Sequence, residues 1–395
     1  MDQQFRTLYL KSGHAVEETQ ALLPRRGELP DGGPDKFLLA ALALSTHAVL
    51  RVVSVGQATS AWGRGDVSAR VFGARAPGAT AVGKALRFAA ALLAFTLDGL
   101  SFRPRRVLCG EGGVFALAAW FVARLGRAQF VLLCHNAMTL PGTSRIYRRS
   151  NSFLCRHADW VIAHGPYVKQ EARALRGHDH QLLEFNNALD ESQVQHLQNV
   201  QAPPQSTLDA PKVVFLGRVE TDKGVFDLLD ACRRVRQSGL ALQLVYVGGG
   251  AALAPLRAAV EAQAADGWVQ VLGAVPFDAV FDQLSMGTVA VTPSRSRFPE
   301  GFCKSAMEAL YVGVPVVAPD YGPFPFLIQH EENGLLYRAD DVEALAQALS
   351  RLLSDEPLRR QLAEGARCSG LALMRPSTTF YKALSQVFHA DQPTL

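Results

Sequence analysis

The sequence predicts an α/β protein of two doubly wound, Rossmann-like domains, and three observations carry that prediction. Short apolar runs alternate with longer helical patterns from end to end. The length, 395 residues, exceeds what one ordinary core holds and suits two. A proline-rich polar stretch, QAPPQSTLDAP at 201–211, interrupts the alternation, which restarts at once with KVVFLGR. The expected division is therefore 1–205 and 206–376, with 377–395 a C-terminal helix packing back on the first domain.

In the first domain the strands are read at TLYL (7–10), AVLRVVSV (48–55), RVLCG (106–110), FVLLCH (130–135) and WVIAH (160–164). Near-continuous aliphatic runs of this length are what strands covered on both faces require. Between the third and fourth, VFALAAWFVARLG has helical periodicity and ends on a glycine. In the second domain VVFLG (213–217), LQLVYVGGG (242–250), VQVLGAV (269–275), TVAVTPS (288–294) and PVVAP (315–319) repeat the pattern. Ligands of such sheets sit at the carboxyl ends of the strands, so the residues that follow these runs are the candidates for function.

Composition narrows the class. Cys109, Cys134, Cys155, Cys232, Cys303 and Cys368 are scattered, with no C-x-x-C pair, and read as free thiols of a reducing cytoplasm. The N-terminal MDQQFRTLYLKSG lacks the features of a signal peptide, and the apolar run FAAALLAFTL (88–97) is shorter than the roughly twenty residues of a spanning helix. A protein neither secreted nor integral to a membrane is expected. Charge is uneven: Lys plus Arg minus Asp plus Glu is 23 − 15 = +8 over residues 1–200 and 17 − 21 = −4 over the rest. The basic residues gather around Arg103, Arg105 and Arg106 and in SRIYRRSNSFLCR, with Lys84 and Arg87 ahead of the apolar run. Two readings stay open: a buried helix with a solvated basic face, or a domain peripheral on an anionic cytoplasmic leaflet.

Several motifs carry little. GATAVGKA (78–85) matches a phosphate-binding loop only as far as its lysine, since Ala85 stands where a metal-holding hydroxyl belongs. VGGGAA after LQLVYV is not G-x-G-x-x-G; Gly248 suits a tight turn, while Gly249 and Gly250 could let a ligand approach the backbone. His157, His164, His178 and His180 lack ligand spacing and read as solvated or capping residues. There is no G-x-S-x-G and no D-x-D, so neither a serine hydrolase nor an acidic metal clamp is expected, and no nucleic-acid partner.

Others carry more. His135 ends a strongly apolar strand, where such sheets present functional groups, although a structural histidine would fit there too. Gly13 and His14 follow the first strand in the same way. GRVETDKG (217–224) sets Arg218 and Lys223 on one loop, two cations suited to a diphosphate, or else a solvated loop. EGFCKSAME places Glu300 and Glu308 around a helix read from Phe302 to Val312 and closed by Gly313. Eight helical residues rise about 12 Å, too far for two carboxylates to act on one bond. An extended ligand, with sugars at its ends and phosphates at the helix N-terminus, fits better.

GRVETDKG, GAVPFDAVFDQLSMGTVAVTPS, EGFCKSAME and ALYVGVPVVAPDYGPFPFLIQHEENGLLY together resemble the donor-binding half of the retaining family 4 glycosyltransferases, through most of 212–355. The resemblance implies the GT-B fold, two Rossmann-like domains facing each other across a cleft. It implies a nucleotide diphosphate sugar as donor substrate, no cofactor and no metal. The acceptor would be a glycan or lipid-linked glycan of cell-surface polysaccharide biosynthesis. By the same resemblance Glu308 holds the nucleotide ribose and Glu300 lies beside the donor sugar. Arg218 and Lys223 hold the diphosphate with the amides at Gly301, Phe302, Cys303, Lys304 and Ser305. His135 lies near the transferred sugar, and Gly13, Gly250 and Val275 complete the donor surroundings. The chain departs from the family at Cys303, often glycine, at Gly322-Pro323-Phe324-Pro325-Phe326, which lacks a usual glutamate, and at the reduced KSGH turn. A nucleotide-sugar epimerase or hydrolase, a soluble small-molecule glycosyltransferase and a non-catalytic binding module remain as alternatives.

Overall fold

The computed structural model describes residues 5–26, 36–46, 48–75, 78–110, 112–139, 144–189, 191–199, 211–265, 267–374 and 376–390. Of the described residues, one unit takes those up to Asn187 together with those from Ser377 onward, and the other takes those of Ala188–Pro376. Most of the polar stretch expected to divide the domains, 201–210, lies outside the described residues.

The first unit is built on an eight-stranded sheet. Its strands are β1 (Phe5–Leu10), β2 (Ala48–Gly56), β3 (Ser60–Arg64), β4 (Val67–Gly73), β5 (Arg106–Cys109), β6 (Gln129–Cys134), β7 (Trp160–His164) and β8 (Leu182–Phe185), in the order β3-β4-β2-β1-β5-β6-β7-β8. All pair in parallel except β3, which turns back on β4 through Gly65 and Asp66. That hairpin and β8 were not expected. β3 is exposed and polar, so it lacks the aliphatic run by which the other strands are recognised.

The second unit holds a six-stranded parallel sheet of β9 (Lys212–Leu216), β10 (Gln243–Val247), β11 (Val269–Gly273), β12 (Val289–Val291), β13 (Val316–Pro319) and β14 (Gly334–Tyr337), ordered β11-β10-β9-β12-β13-β14. Alternation along β9 shows how both faces are covered. Val213 and Phe215 enter one core with Leu228, Leu256 and Leu349, and Val214 enters the other with Leu310 and Phe324. Each unit is thus Rossmann-like, as the alternation in sequence predicts.

Three local outcomes bear on the sequence reading. GATAVGKA opens a helix: Thr80 caps Ala81–Phe102 by accepting from the Gly83 amide at 3.2 Å, and Lys84 sits exposed within it. That helix absorbs the 88–97 run and, at 22 residues, is long and apolar enough by composition to cross a membrane. Arg106 is not part of a surface cluster, because it is buried, donates to the Val387 carbonyl at 3.2 Å and stacks on Phe5 and Phe388. Its partner helix, Phe380–His389, supplies Phe380, Leu384 and Val387 to the core of the first unit.

The loops at the carboxyl ends of β9, β10 and β11 are bonded main chain to main chain. The Gly217 amide donates to the Val247 carbonyl at 3.0 Å, Val219 to Gly249 at 2.9 Å, and Gly248 to Gly273 at 2.8 Å. A Cβ on Gly248, whose φ is +136°, would stand 1.8 Å from the Gly217 oxygen, so only glycine admits this approach. Gly248→Ala should destabilise the chain by roughly 3 kcal/mol or more, through strain and overpacking. Gly249→Ala, whose Cβ meets nothing closer than the Ala274 Cβ at 3.8 Å, should change stability by less than about 1 kcal/mol. Denaturant unfolding of the two variants checks the contrast, and equal losses would refute it.

Candidate functional site

In the second unit the residues after β9 and β12 converge. The turn Thr221–Lys223 ends at Gly224, whose φ of +72° and missing side chain let the Pro293 carbonyl approach: a Cβ there would lie 1.9 Å from that oxygen. Lys223 and Glu300, seventy-seven positions apart, form an ion pair with both side chains largely buried. Ser294 donates to the same Glu300 oxygen at 3.1 Å. Phe298 lies under both cations, 4.3 Å from the Lys223 ammonium and 5.4 Å from the Arg218 guanidinium. Arg218 is exposed and paired to Glu220 at 2.8 Å. Arg218, Lys223 and Glu300 are therefore brought together, with Ser294 and Phe298 as members that single-residue reading passed over. The strand-end signal that exposed His135 also marked TVAVTPS, and could have found Ser294.

The helix between the two glutamates is Lys304–Tyr311, with Cys303 as its N-cap, so it starts two residues later than read. Phe302 and Cys303 precede it, and the amides of its first turn lack intrahelical partners by helical geometry. Glu308 is buried on this helix and pairs with exposed Lys304 at 3.2 Å. Burial raises its pKa, and Lys304 offsets this only in part, because it is itself half exposed. Burial likewise pushes the Cys303 thiol up to about 11, which makes it an inert packing group. Gly250 is fixed by structure: a Cβ there would lie 2.4 Å from the Val219 oxygen. Val275, after β11, packs partly against the core that contains Cys303 and Ala306.

In the first unit a cavity of ≈ 460 Å³ opens at the carboxyl ends of β1, β5 and β6, lined among others by Lys11, Glu18, Phe37, His135, Tyr147 and Asn151. Gly13 has φ +88°, but its bare Cα is occupied by Glu18, whose Oε1 would be 2.3 Å from a Cβ and accepts from the His14 amide at 2.8 Å. Glu18 also pairs with Lys11. The glycine thus serves the turn itself. Gly112 makes room for Tyr147 in the same manner.

His135 packs on Phe37, ring centroids 4.2 Å apart, and its Nδ1 has no hydrogen-bond partner among the described residues. Burial, with Lys36 nearby, lowers its pKa to about 4. His164 is neither solvated nor a capping side chain: it stacks on Phe185 at 4.6 Å and 7°, and burial depresses its pKa too. Both rings are neutral when folded and take up protons more readily when unfolded. Their stabilising contribution is therefore complete above about pH 6.5 and is lost as pH falls below it, for His135 toward about 4. Thermal unfolding followed from pH 7.5 to 4.5 should show a steeper loss for the native chain than for His135→Gln/His164→Gln; parallel curves would refute the assignment. Among the described residues, no group of three or more His, Cys, Asp or Glu is arranged to hold a metal ion.

The profile of a family described as Glycosyl transferases group 1 matches residues 198–368. Among curated relatives, the amylovoran biosynthesis glycosyltransferase AmsK of Erwinia amylovora is 29% identical over 148 residues, 37% of this chain and 36% of that protein. A GDP-mannose-dependent alpha-(1-6)-phosphatidylinositol monomannoside mannosyltransferase of Mycobacterium tuberculosis is 32% identical over 162 residues, 40% of this chain and 42% of that protein. The chain thus aligns with less than two thirds of the length of these relatives. Anabaena HepE, solved with UDP and glucose, superposes with a TM-score of 0.64 at 16% identity, covering 98% of this chain and 99% of that one. The chain therefore carries a glycosyl transferases group 1 domain over residues 198–368 and has the two-sheet fold of the GT-B glycosyltransferases.

Proposed function

We propose that the chain is a retaining glycosyltransferase of family 4 type, moving a sugar from a nucleotide diphosphate to an acceptor hydroxyl in cell-surface polysaccharide assembly. The observation that carries this reading is the grouping of Lys223, Arg218 and Glu300 at the strand ends of a glycosyl transferases group 1 domain. AmsK is named for amylovoran biosynthesis and the mycobacterial relative for a phosphatidylinositol mannoside, which supports a glycan or lipid-linked acceptor. The donor is assigned to the second unit, and the acceptor to the cavity of the first.

Breaking the anomeric bond builds negative charge on the leaving diphosphate and positive charge on the sugar ring. Arg218, Lys223 and the first-turn amides of Lys304–Tyr311 oppose the former by preorganised electrostatics. Glu300, held by Lys223 and Ser294, orients the sugar and offsets the latter. Glu308, buried and short of donors, is suited to accept from ribose hydroxyls. The leaving phosphate takes the acceptor proton. His135, neutral when folded, lines the first-unit cavity and is assigned there to a sugar hydroxyl.

Two experiments test the reading. Glu308→Ala should weaken donor and free nucleoside diphosphate alike, by about 1.5 to 3 kcal/mol. Glu300→Gln should cut kcat by about a hundredfold or more. Since it releases Lys223 from its ion pair, it should leave free nucleoside diphosphate binding unchanged or tighter. Calorimetry and initial rates separate these, and equal weakening of the free nucleotide by both variants would sink the assignment. Because cationic side chains and amides match the diphosphate, transfer should also survive EDTA. Complete loss, restored by manganese or magnesium, would overturn the metal-free mechanism.

A further inference from the structure

We propose that the outer faces of the helices Ala81–Phe102 and Gly113–Gly126 form a docking surface for an anionic lipid bilayer. The surface belongs to the first unit alone and does not depend on the reaction proposed above.

The helix Ala81–Phe102 has two apolar sides. Ala91, Phe95 and Phe102 face the core, while Val82, Leu86, Leu93 and Leu97 are 69%, 66%, 60% and 57% exposed. With Ala90, also exposed, those outward residues fall at intervals of four, four, three and four, a continuous stripe opposite the buried face. The neighbouring helix repeats the device with Val114, Phe121 and Leu125, exposed at intervals of seven and four. Phe88 and Phe115 meet edge to face at 5.3 Å, which joins the two helices at their N-terminal ends. A solvated helix would place polar residues on such faces.

Charge names the partner. Across these helices and the adjacent Arg145–His157, basic residues occur at Lys84, Arg87, Arg124, Arg145, Arg148, Arg149 and Arg156. The one acidic residue among the three helices, Asp98, is buried and paired with Arg51 and Arg70. Ile146, 70% exposed, sits between the arginines at the start of the third helix. Exposed apolar residues and cations share these helices, Arg124 being paired with Asp159 at 3.3 Å, and no helix of the three exposes an acid; that combination is complementary to anionic headgroups over acyl chains. The Ala81–Phe102 helix lies on the bilayer in this proposal and does not cross it, because Phe95, Asp98 and Phe102 hold it against the sheet.

Position adds a consequence. Each of the three helices joins two parallel strands of the sheet, Ala81–Phe102 passing from β4 over β2 and β1 to β5 and the other two joining neighbours, so their N-termini lie at the carboxyl ends of the strands. The cavity of His135 opens at that same edge, with Tyr147 and Asn151 of the third helix in its wall. A bilayer against Val82, Leu86 and Ile146 is therefore beside its mouth.

Flotation of the full chain with vesicles of phosphatidylcholine, with and without phosphatidylglycerol, tests the proposal. Binding should require the anionic lipid and weaken as salt rises from low ionic strength. Leu86→Gln/Leu93→Gln/Leu97→Gln, all exposed positions, should reduce binding by about tenfold or more with an unchanged unfolding transition. Arg145→Gln/Arg148→Gln/Arg149→Gln should reduce it by about a hundredfold, at roughly fivefold for each cation near the surface. Equal binding to neutral and anionic vesicles, binding to neither, or native binding by the leucine variant would overturn the proposal. So would a native dimer, broken by the leucine substitutions, that binds no vesicles, because the stripe would then cover a second copy of the chain.

Discussion

A carboxylate buried at a sheet edge must be met by charge and hydrogen bonds, or it costs several kcal/mol. Glu300 is such a group, and Lys223 and Ser294 meet it. Closing that contact forces two loops from distant parts of the sequence together, and much of the second unit's strand-end architecture follows from it. Gly224 lacks a side chain so that Pro293 can approach. Arg295 clasps Asp227 through two bonds of 2.7 and 2.6 Å, its amide donates to the Asp222 carbonyl, and the Tyr321 hydroxyl donates to the Arg295 carbonyl at 2.7 Å. The ion pair is thus the centre of a small network, and the cation it holds is also one that a diphosphate would compete for.

How much of this was legible in the sequence depends on the kind of signal. Buried parallel strands announce themselves as aliphatic runs, so ten of them could be read with small errors at their ends. Short or exposed ones, β3 with SAWGR and β14 with GLLY, carry no such run. Glu300, the two cations and His135 were legible because they follow strands, and Glu308 because of its spacing from Glu300. Their pairing was not, since nothing along a chain says that residue 223 meets residue 300. Glycines misled about cause: Gly13 and Gly250 do stand in positive-φ positions, but the space they leave is filled by Glu18 and the Val219 carbonyl. Periodicity also cannot say which of two apolar faces of a helix is covered. Two readings of the 88–97 run stayed open because both sides of Ala81–Phe102 are apolar.

The histidines show the same limit from the other side. His135 follows β6 and His164 ends its neighbour β7; along the sequence the first reads as a functional or structural histidine and the second as a solvated or capping one. Phe37, Phe185 and Phe380 come from three remote segments to enclose them, with ring centroids 4.8 to 5.9 Å apart. Their neutrality is a property of that enclosure, and only tertiary structure creates it.

One member of the enclosure has a consequence for how the protein is made. Phe380 belongs to a helix that completes the first unit's core, yet the ribosome reaches it only after all of Ala188–Pro376. At about 5 to 20 residues per second, that interval is roughly 10 to 40 s. Throughout it Phe37 and Phe185 of the first unit wait with an open apolar flank, and the chain of the second unit is complete before that flank can be covered. The order in which the two units begin is thus the reverse of the order in which their cores can be finished.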